Sequence, residues 1–284
     1  MTFTDILWLL ILLQFFIPVI QKRIIEARRA AAIRTLESKT GSRVITMIHR
    51  QETLSFLGIP LVRYIDIEDS ERVLRAIRLT AEDVPIQMVL HTPGGLVLAA
   101  EQIAEALARR TAKVQVIVPH YAMSGGTLIA LAADEILMDP NAVLGPVDPQ
   151  LGGGQGAYPA ASVLKALETP NPNRSDETLI LGDVARKAIE QVLATVRGLL
   201  GKHLPDDKAE AVARTLSEGR WTHDFPIDAR FAKSMGLPVV EGVPDEVYQL
   251  MELYPQSGQR RPGVEFIPIP YRAPESPARR GERP

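Results

Sequence analysis

The stretch that decides the fold is residues 86–138, which read IQMVLHTPGGLVLAAEQIAEALARRTAKVQVIVPHYAMSGGTLIALAADEILM. Three runs in it have the continuous Val, Ile and Leu content of strands that are covered on both faces: 86–91, 114–119 and 135–138. Two glycine turns, at 92–95 and 124–126, separate these runs, and each opens a segment with helical spacing of apolar residues. The order strand, turn, helix, strand predicts an α/β domain with a parallel sheet and right-handed crossovers.

Working outward from this stretch, the composition divides the chain into four parts. We predict a transmembrane anchor at 1–20, a juxtamembrane helix at 21–39, the α/β domain at 40–254 and a disordered Pro- and Arg-rich tail at 255–284. Within the domain, the Gly-, Pro- and Asn-rich segments 152–158 and 169–176 are predicted to be loops, and they flank a short helix at 159–168.

The N-terminal prediction depends on residues 6–20, ILWLLILLQFFIPVI, an apolar run that only Gln14 and Pro18 interrupt. As a helix this run spans about 22 Å, and its flanks extend it toward the ~30 Å of the hydrocarbon core. A cleaved signal peptide and a buried or partner-binding helix are the alternatives to a membrane anchor. Basic residues follow the run and none precedes it, so the positive-inside rule predicts a single-pass protein whose body lies in the cytoplasm.

Composition excludes several kinds of chemistry. The 284 residues carry a net charge of −2 at pH 7, which argues against a nucleic-acid partner. The chain has no cysteine, so disulfides, thiolate metal sites and a cysteine nucleophile are excluded. The five histidines are scattered without the spacing of metal ligands, and we predict neither a metal ion nor another cofactor.

The two glycine turns have the features of a catalytic site. Both follow predicted parallel strands, so they meet at the sheet edge where active sites of open α/β sheets form. Glycine turns and helix N-termini direct backbone N–H groups at developing negative charge. We predict Ser124 as a nucleophile, with the N–H groups of Gly95 and Gly125 as oxyanion donors. In the alternatives, Ser124 is only a helix N-cap, or the turns bind phosphate, although neither GxGxxG nor GxxxxGK[ST] is present.

Longer motifs around these turns resemble a known family: HTPGGLVLAAEQIAEALA (91–108), YAMSGGTLIALAADEILMDPNAVLGPVDPQ (121–150) and GRWTHDFPIDARFAKSMGL (219–237). Over about residues 40–240 the chain resembles the Clp-fold serine peptidases, nearest to signal peptide peptidase A and the membrane-linked serine dehydrogenase proteinase group. The resemblance implies the Clp/crotonase-type spiral of ββα units, a serine peptidase that works through an acyl-enzyme, and assembly into a homo-oligomer. By matched position it implies Ser124 as nucleophile and Gly95 and Gly125 as oxyanion donors.

The choice of base is less direct, although a serine hydroxyl needs one at neutral pH. The His and Asp of Clp peptidases have no counterpart here, because no His stands in the matching position after Ser124. Signal peptide peptidase A and its short relatives use Lys instead, and the first Lys after Ser124 is Lys165. Its apolar neighbours predict a desolvated amine with a lowered pKa, and we predict Lys165 as the general base. Lys187 is the runner-up, and His120 is interpreted as a polar loop residue.

These inferences combine into one functional hypothesis. The chain is predicted to be a membrane-anchored serine endopeptidase that hydrolyses peptides or membrane proteins. One alternative is a crotonase-type acyl-CoA enzyme, which shares the paired oxyanion donors but moves protons with carboxylates. The other is a catalytically silent scaffold that assembles at the membrane.

Overall fold

The computed structural model of this protein describes residues 3–49, 55–56, 59–60, 63–153 and 156–254. The helices of these residues are α1 (Phe3–Thr40), α2 (Ile67–Arg78), α3 (Val97–Ala108), α4 (Gly125–Leu131), α5 (Ala160–Leu167), α6 (Asp176–Leu200), α7 (Asp206–Ser217), α8 (Ala229–Ser234) and α9 (Asp245–Glu252). The strands are β1 (Arg43–Ile48), β2 (Ser55–Phe56), β3 (Ile59–Pro60), β4 (Ile86–His91), β5 (Val114–Val118), β6 (Tyr121–Ala122), β7 (Glu135–Met138), β8 (Val143–Leu144), β9 (Gln150–Gly153), β10 (Gly156–Pro159), β11 (Ile227–Asp228) and β12 (Val239–Glu241). The tail predicted at 255–284 lies outside the described residues.

The central sheet confirms the predicted α/β fold. Its order is β1-β4-β5-β7-β12, and every neighbouring pair is parallel. All six residues of β4 are buried, because helices cover both faces of the sheet. Val89 and Ile117 pack toward Leu36 of α1 and Leu250 of α9, whereas side chains of the opposite pleat, such as Met88, join the main core under α2, α3 and α4.

A smaller sheet, in the order β11-β8-β6, lies beside the carboxyl end of the central sheet. Its strand β6 pairs in parallel with β8, and β8 pairs antiparallel with β11. The chain passes from β6 through Met123 into Ser124 and α4. The small sheet therefore positions the second glycine turn, and it brings the segment around residue 227 close to that turn.

The N-terminal helix α1 is continuous over 38 residues and includes residues 3–20 of the predicted anchor and the whole predicted juxtamembrane helix at 21–39. Its C-terminal part is tied to the domain, since Arg29 Nε donates to the Leu253 carbonyl at 2.8 Å. Among the helices that the structure describes, none is both long enough and apolar enough to cross a membrane. The transmembrane span predicted at 1–20 is therefore not supported by the structure.

One predicted loop is partly a hairpin. The strands β9 and β10 pair antiparallel, from Gly153 opposite Gly156 to Gln150 opposite Pro159, within and beside the segment predicted as a loop at 152–158. Glycine composition signals conformational freedom, but the backbone N–H and C=O groups still need partners, and a hairpin supplies them. The hairpin leads directly into α5, which packs on α6 around a small apolar cluster that includes Val163 and Ala185 and is separate from the main core.

Candidate active site

The two glycine turns meet as the sequence predicts. Thr92 donates its N–H to the Tyr121 carbonyl at 3.2 Å, and Met123 donates to the Thr92 carbonyl at 3.0 Å. A parallel bridge between Thr92 and Ala122 continues the sheet pairing into the turns. Because β4 is held parallel to β5, and β6 follows β5 directly, the carboxyl ends of these strands bring the turns together.

Contact between the turns leaves no space for side chains on their glycines. A Cβ atom added to Gly94 would lie 2.7 Å from the Ser124 Cβ and 3.2 Å from the Gly125 nitrogen. A Cβ added to Gly125 would lie 3.6 Å from the Gly95 nitrogen. The N–H groups of Gly95 and Gly125 therefore lie close to each other and to the Ser124 side chain, which is the arrangement that an oxyanion hole requires.

The first turn is also held from the opposite side by Ile65. The Ile65 N–H donates to the Gly94 carbonyl at 2.7 Å, and the Leu96 N–H donates to the Ile65 carbonyl at 2.9 Å. Gly95 lies between these two bonds with φ of +157°, and an added Cβ would lie 2.3 Å from backbone atoms of Ile65. Only glycine fits at this position, because both the backbone conformation and the contact exclude a side chain.

Among the described residues, the N–H groups of the two proposed oxyanion donors have no hydrogen-bond acceptor. Neither Gly95 nor Gly125 donates to a backbone carbonyl of the residues that the structure describes. The Gly125 N–H is at the first position of α4, where a helix has no internal acceptor for it. The Gly95 N–H is trans to the Gly94 carbonyl across a planar peptide bond, so it points away from Ile65.

Ser124 differs from a helix N-cap serine. Its side chain makes no capping hydrogen bond, and its backbone has φ of +52° and ψ of −117°. Within the described part of the chain it is the one residue other than glycine with a positive φ. Such a conformation costs on the order of 1–3 kcal/mol, and strained residues of this kind concentrate at functional sites. The backbone geometry therefore favours the nucleophile interpretation over the capping one.

Lys165 lies on the exposed surface of α5. Its side chain is 79% exposed and forms an ion pair with Glu168. The hydrogen bond and the negative charge of Glu168 raise the pKa of Lys165, whereas the sequence interpretation expected burial to lower it. The expectation failed because the apolar neighbours of Lys165 face α6 while the amine points to solvent. No contact in the described structure joins Lys165 to Ser124, so its role as base stays a prediction.

Among the described residues, no contact joins either of the two other candidate bases to Ser124. Lys187 is 68% exposed and pairs with Asp183 on the same face of α6. His120 is exposed, and its ring meets that of Tyr121 edge to face with centroids 5.3 Å apart.

Two polar clusters near the turns were not recognised from the sequence. The first joins the buried His49 to Thr92, with its Nδ1 2.9 Å from the Thr92 Oγ1. The second joins His223 to the buried Asp148 at 2.8 Å. The signal for the second was present in the motifs DPQ and THD, but the pairing of positions 75 residues apart is visible only in the fold. Over the described residues, no group of His, Asp and Glu is arranged to hold a metal ion.

The chain is similar to known proteins over most of its length. A family model described as a ClpP-like SDH-type serine proteinase matches residues 1–280. The uncharacterized protein MJ1495 of Methanocaldococcus jannaschii is 54% identical over 269 residues, which cover 95% of this chain and 91% of that protein. The uncharacterized protein MJ0137 of the same organism is 54% identical over 264 residues, 93% of this chain and 91% of that protein.

Solved structures with a similar fold include a mutant of the 1510-N membrane-bound stomatin-specific protease, with a TM-score of 0.48 and 19% identity over 73% of this chain and 82% of that one. Another mutant of that protease, in complex with a substrate peptide, gives a TM-score of 0.47 and 20% identity over 72% of this chain and 77% of that one. A ClpP1 mutant from Listeria monocytogenes gives a TM-score of 0.45 and 17% identity over 75% of this chain and 99% of that one.

Proposed function

Because this chain belongs to the ClpP-like SDH-type serine proteinase family, we propose that it hydrolyses peptide bonds with Ser124 as nucleophile. The single observation that carries the assignment of residues is the strained, uncapped Ser124 beside the unused N–H groups of Gly95 and Gly125. A crotonase-type acyl-CoA enzyme would use the same paired donors, but it would need no nucleophile at position 124.

The proposed reaction proceeds through an acyl-enzyme. The Ser124 Oγ attacks the carbonyl carbon of the scissile peptide bond and gives its proton to the base. The N–H groups of Gly95 and Gly125 bind the oxygen that becomes negative, which lowers the energy of the tetrahedral intermediate. The base then protonates the leaving amine, the C–N bond breaks, and a water molecule deprotonated by the same base hydrolyses the ester at Ser124.

Lys165 is proposed as this base. A lysine accepts a proton only when it is neutral, and the ion pair with Glu168 favours the charged form. The proposal therefore includes a rearrangement in which Lys165 leaves Glu168 and approaches Ser124. The start of α5 is joined to the segment of the buried Asp148, since Ala160 donates its N–H to the Pro149 carbonyl at 2.9 Å.

Labelling with a fluorophosphonate tests the nucleophile. We expect the wild-type protein to be labelled and to hydrolyse a fluorescent casein, and Ser124→Ala to lose both reactions with an unchanged thermal unfolding midpoint. Mass spectrometry of the labelled peptide locates the phosphonylated residue. Turnover by a folded Ser124→Ala protein would exclude Ser124 as nucleophile, and label on another residue would relocate the site. An acyl-CoA enzyme or a silent scaffold predicts no label at Ser124.

We further propose that the apolar N-terminal part of α1 attaches the protein to a membrane, with the domain in the cytoplasm. The support is the apolar sequence of residues 6–20, together with exposed side chains at its end such as Phe16 and Ile20. Deletion of residues 1–20 is expected to move the protein from the membrane fraction to the soluble fraction. Digestion of the domain by protease added outside intact cells would contradict the orientation.

Assembly into a homo-oligomer is the remaining proposal. Three apolar side chains near the start of α6 are exposed in the single chain, namely Leu179, Ile180 and Val184. A second copy would cover such a surface, and sedimentation of the protein lacking residues 1–20 measures the mass directly. A monomer at micromolar concentration would count against this proposal.

A further inference from the structure

A chain of buried polar groups ends on the first glycine turn. His49 is 3% exposed and Thr92 is fully buried. The His49 Nε2 lies 3.2 Å from the Asp69 carboxylate, and its Nδ1 lies 2.9 Å from the Thr92 Oγ1. The Thr92 Oγ1 in turn accepts the Gly94 N–H at 3.2 Å. Asp69, His49 and Thr92, called here the support network, thus connect helix α2 through the end of β1 to the turn.

Hydrogen-bonding roles in the support network are mutually consistent. The Asp69 carboxylate can only accept, so the His49 Nε2 carries a proton and donates it to Asp69. The Thr92 Oγ1 shares a hydrogen bond with the His49 Nδ1 and, in either direction of that bond, keeps a lone pair for the Gly94 N–H. Burial opposes ionisation of Asp69, but the hydrogen bond and charge of His49 outweigh it, and the pKa of Asp69 is lowered. An ionised Asp69 is the form that orients His49 in this way.

The hydrogen bond from the Gly94 N–H to the Thr92 Oγ1 restrains the backbone that carries the Gly95 N–H, the proposed oxyanion donor. Gly94 is held at its nitrogen by Thr92 and at its carbonyl oxygen by Ile65. The Gly94 carbonyl and the Gly95 N–H belong to one planar peptide unit, so fixing the former sets the direction of the latter. With φ of +103° at Gly94 and no side chains on either glycine, local sterics alone leave this peptide free to rotate.

We propose that Asp69 and His49 act as positioning residues, which hold the Thr92 hydroxyl so that the Gly95 N–H is directed into the oxyanion hole. This inference rests on the proposed function of Ser124. A polar trio in an otherwise apolar core costs desolvation, and apolar side chains would fill the same volume with less penalty. The support network holds the N–H of Gly94 at the start of the residue whose carbonyl begins the Gly94–Gly95 peptide, and apolar side chains cannot form this hydrogen bond.

The kinetics of fluorophosphonate labelling at Ser124 test the proposal, because they separate probe binding (KI) from bond formation (kinact). Thr92→Val removes the hydroxyl and keeps the shape, and we expect kinact to fall about 10²-fold, as for a misdirected oxyanion donor, with KI little changed. Thr92→Ser keeps the hydroxyl and should restore most of kinact. The control is Thr80→Val, which removes another buried threonine's hydroxyl, one that donates to the Ala76 carbonyl of α2 at 2.8 Å.

A double substitution tests the connection to His49. If His49 acts only through Thr92, the His49→Leu and Thr92→Val effects on kinact are not additive, and the double variant labels as slowly as Thr92→Val alone. Additive losses would show that the two residues act separately and would overturn the support network. Equal kinact for Thr92→Val and Thr80→Val, with Ser124 still labelled in wild type, would overturn this proposal alone. Failure of wild type to be labelled at Ser124 would overturn the proposed function and this inference with it.

Discussion

The two sides of the candidate active site are built in different ways. The nucleophile side is part of the main core, where Gly94, Gly95 and Gly125 pack without space for a side chain around Ser124. The proposed base side is α5, which packs on α6 around a separate small cluster and presents Lys165 to solvent. Backbone contacts determine the geometry of the nucleophile side, whereas the proposed base side depends on the flexible amine of Lys165.

This difference shows which of the proposed catalytic groups the single chain holds in place before substrate binding or assembly. Backbone donors packed into a core need no reorganisation when charge develops, which is how such groups stabilise a transition state. An exposed lysine with a carboxylate partner has neither the position nor the pKa of a base, so it must gain both in a later step such as substrate binding or assembly. Substitutions on the two sides should therefore differ in their effects on activity and on stability.

The largest expected effect concerns Lys165. Lys165→Ala and Lys165→Arg should both lower casein hydrolysis by about 10²–10⁴-fold, because alanine has no base and arginine does not deprotonate. Lys187→Ala changes the runner-up base, a similarly exposed lysine with a helical carboxylate partner, and should keep wild-type activity; loss of activity in Lys187→Ala would move the base to Lys187. An active Lys165→Arg protein would remove Lys165 as base, and variants of His120 and His223 would then identify the group that replaces it.

A second prediction addresses the core side. In Gly95→Ala, the new methyl group would meet the Ile65 backbone at 2.3 Å, so the turn must move. We expect activity to fall by more than about 10²-fold, the usual effect of losing one oxyanion donor, together with a lower unfolding midpoint. Gly198→Ala is the control, because a Cβ there meets nothing within 4 Å on the exposed face of α6.

The Gly198→Ala protein should be about 0.4–1 kcal/mol more stable than wild type and fully active. A Gly95→Ala protein that is folded and fully active would place the oxyanion hole elsewhere. Urea unfolding and casein hydrolysis, measured on the same preparations, give both readouts.

The smallest effect is a shift in pH dependence caused by Glu168. Its carboxylate stabilises the protonated form of Lys165 and raises the pKa of that lysine. Replacing it in Glu168→Gln removes the charge, so the pKa of Lys165 falls and the neutral, basic form becomes populated at lower pH. If Lys165 returns to Glu168 in each catalytic cycle, the alkaline rise of the rate should move to lower pH. An unchanged pH–rate profile would mean that the active state of Lys165 does not include Glu168.

Much of the nucleophile side could be predicted from the sequence, because apolar runs and glycine turns are local signals. The bounds of β4 and β7 agree with the predicted runs, and the two turns meet because parallel strands place their carboxyl ends at one edge. The support network could not be predicted in this way. The His49 and Thr92 positions are separated by 43 residues, and only the pairing of β1 with β4 brings them together.

The base side was harder to predict for a different reason. Apolar neighbours on both sides of Lys165 suggested burial, but on a helix adjacent residues point in directions about 100° apart, so neighbours in sequence do not surround a side chain. The hairpin before α5 was missed because glycine content reports conformational freedom and not the absence of pairing partners. Both cases depend on packing of α5 against α6, which is not encoded in local composition.

The backbone conformation at Ser124 is unfavourable for every amino acid that carries a nucleophilic side chain. The combination of φ +52° and ψ −117° at this residue is free of strain only for glycine, and glycine has no hydroxyl to attack a substrate. Any residue with a nucleophile must be held there against its own conformational preference by the surrounding fold. The tight packing of the neighbouring turns supplies this restraint, so the same few residues form part of the core and hold the side chain proposed as the nucleophile.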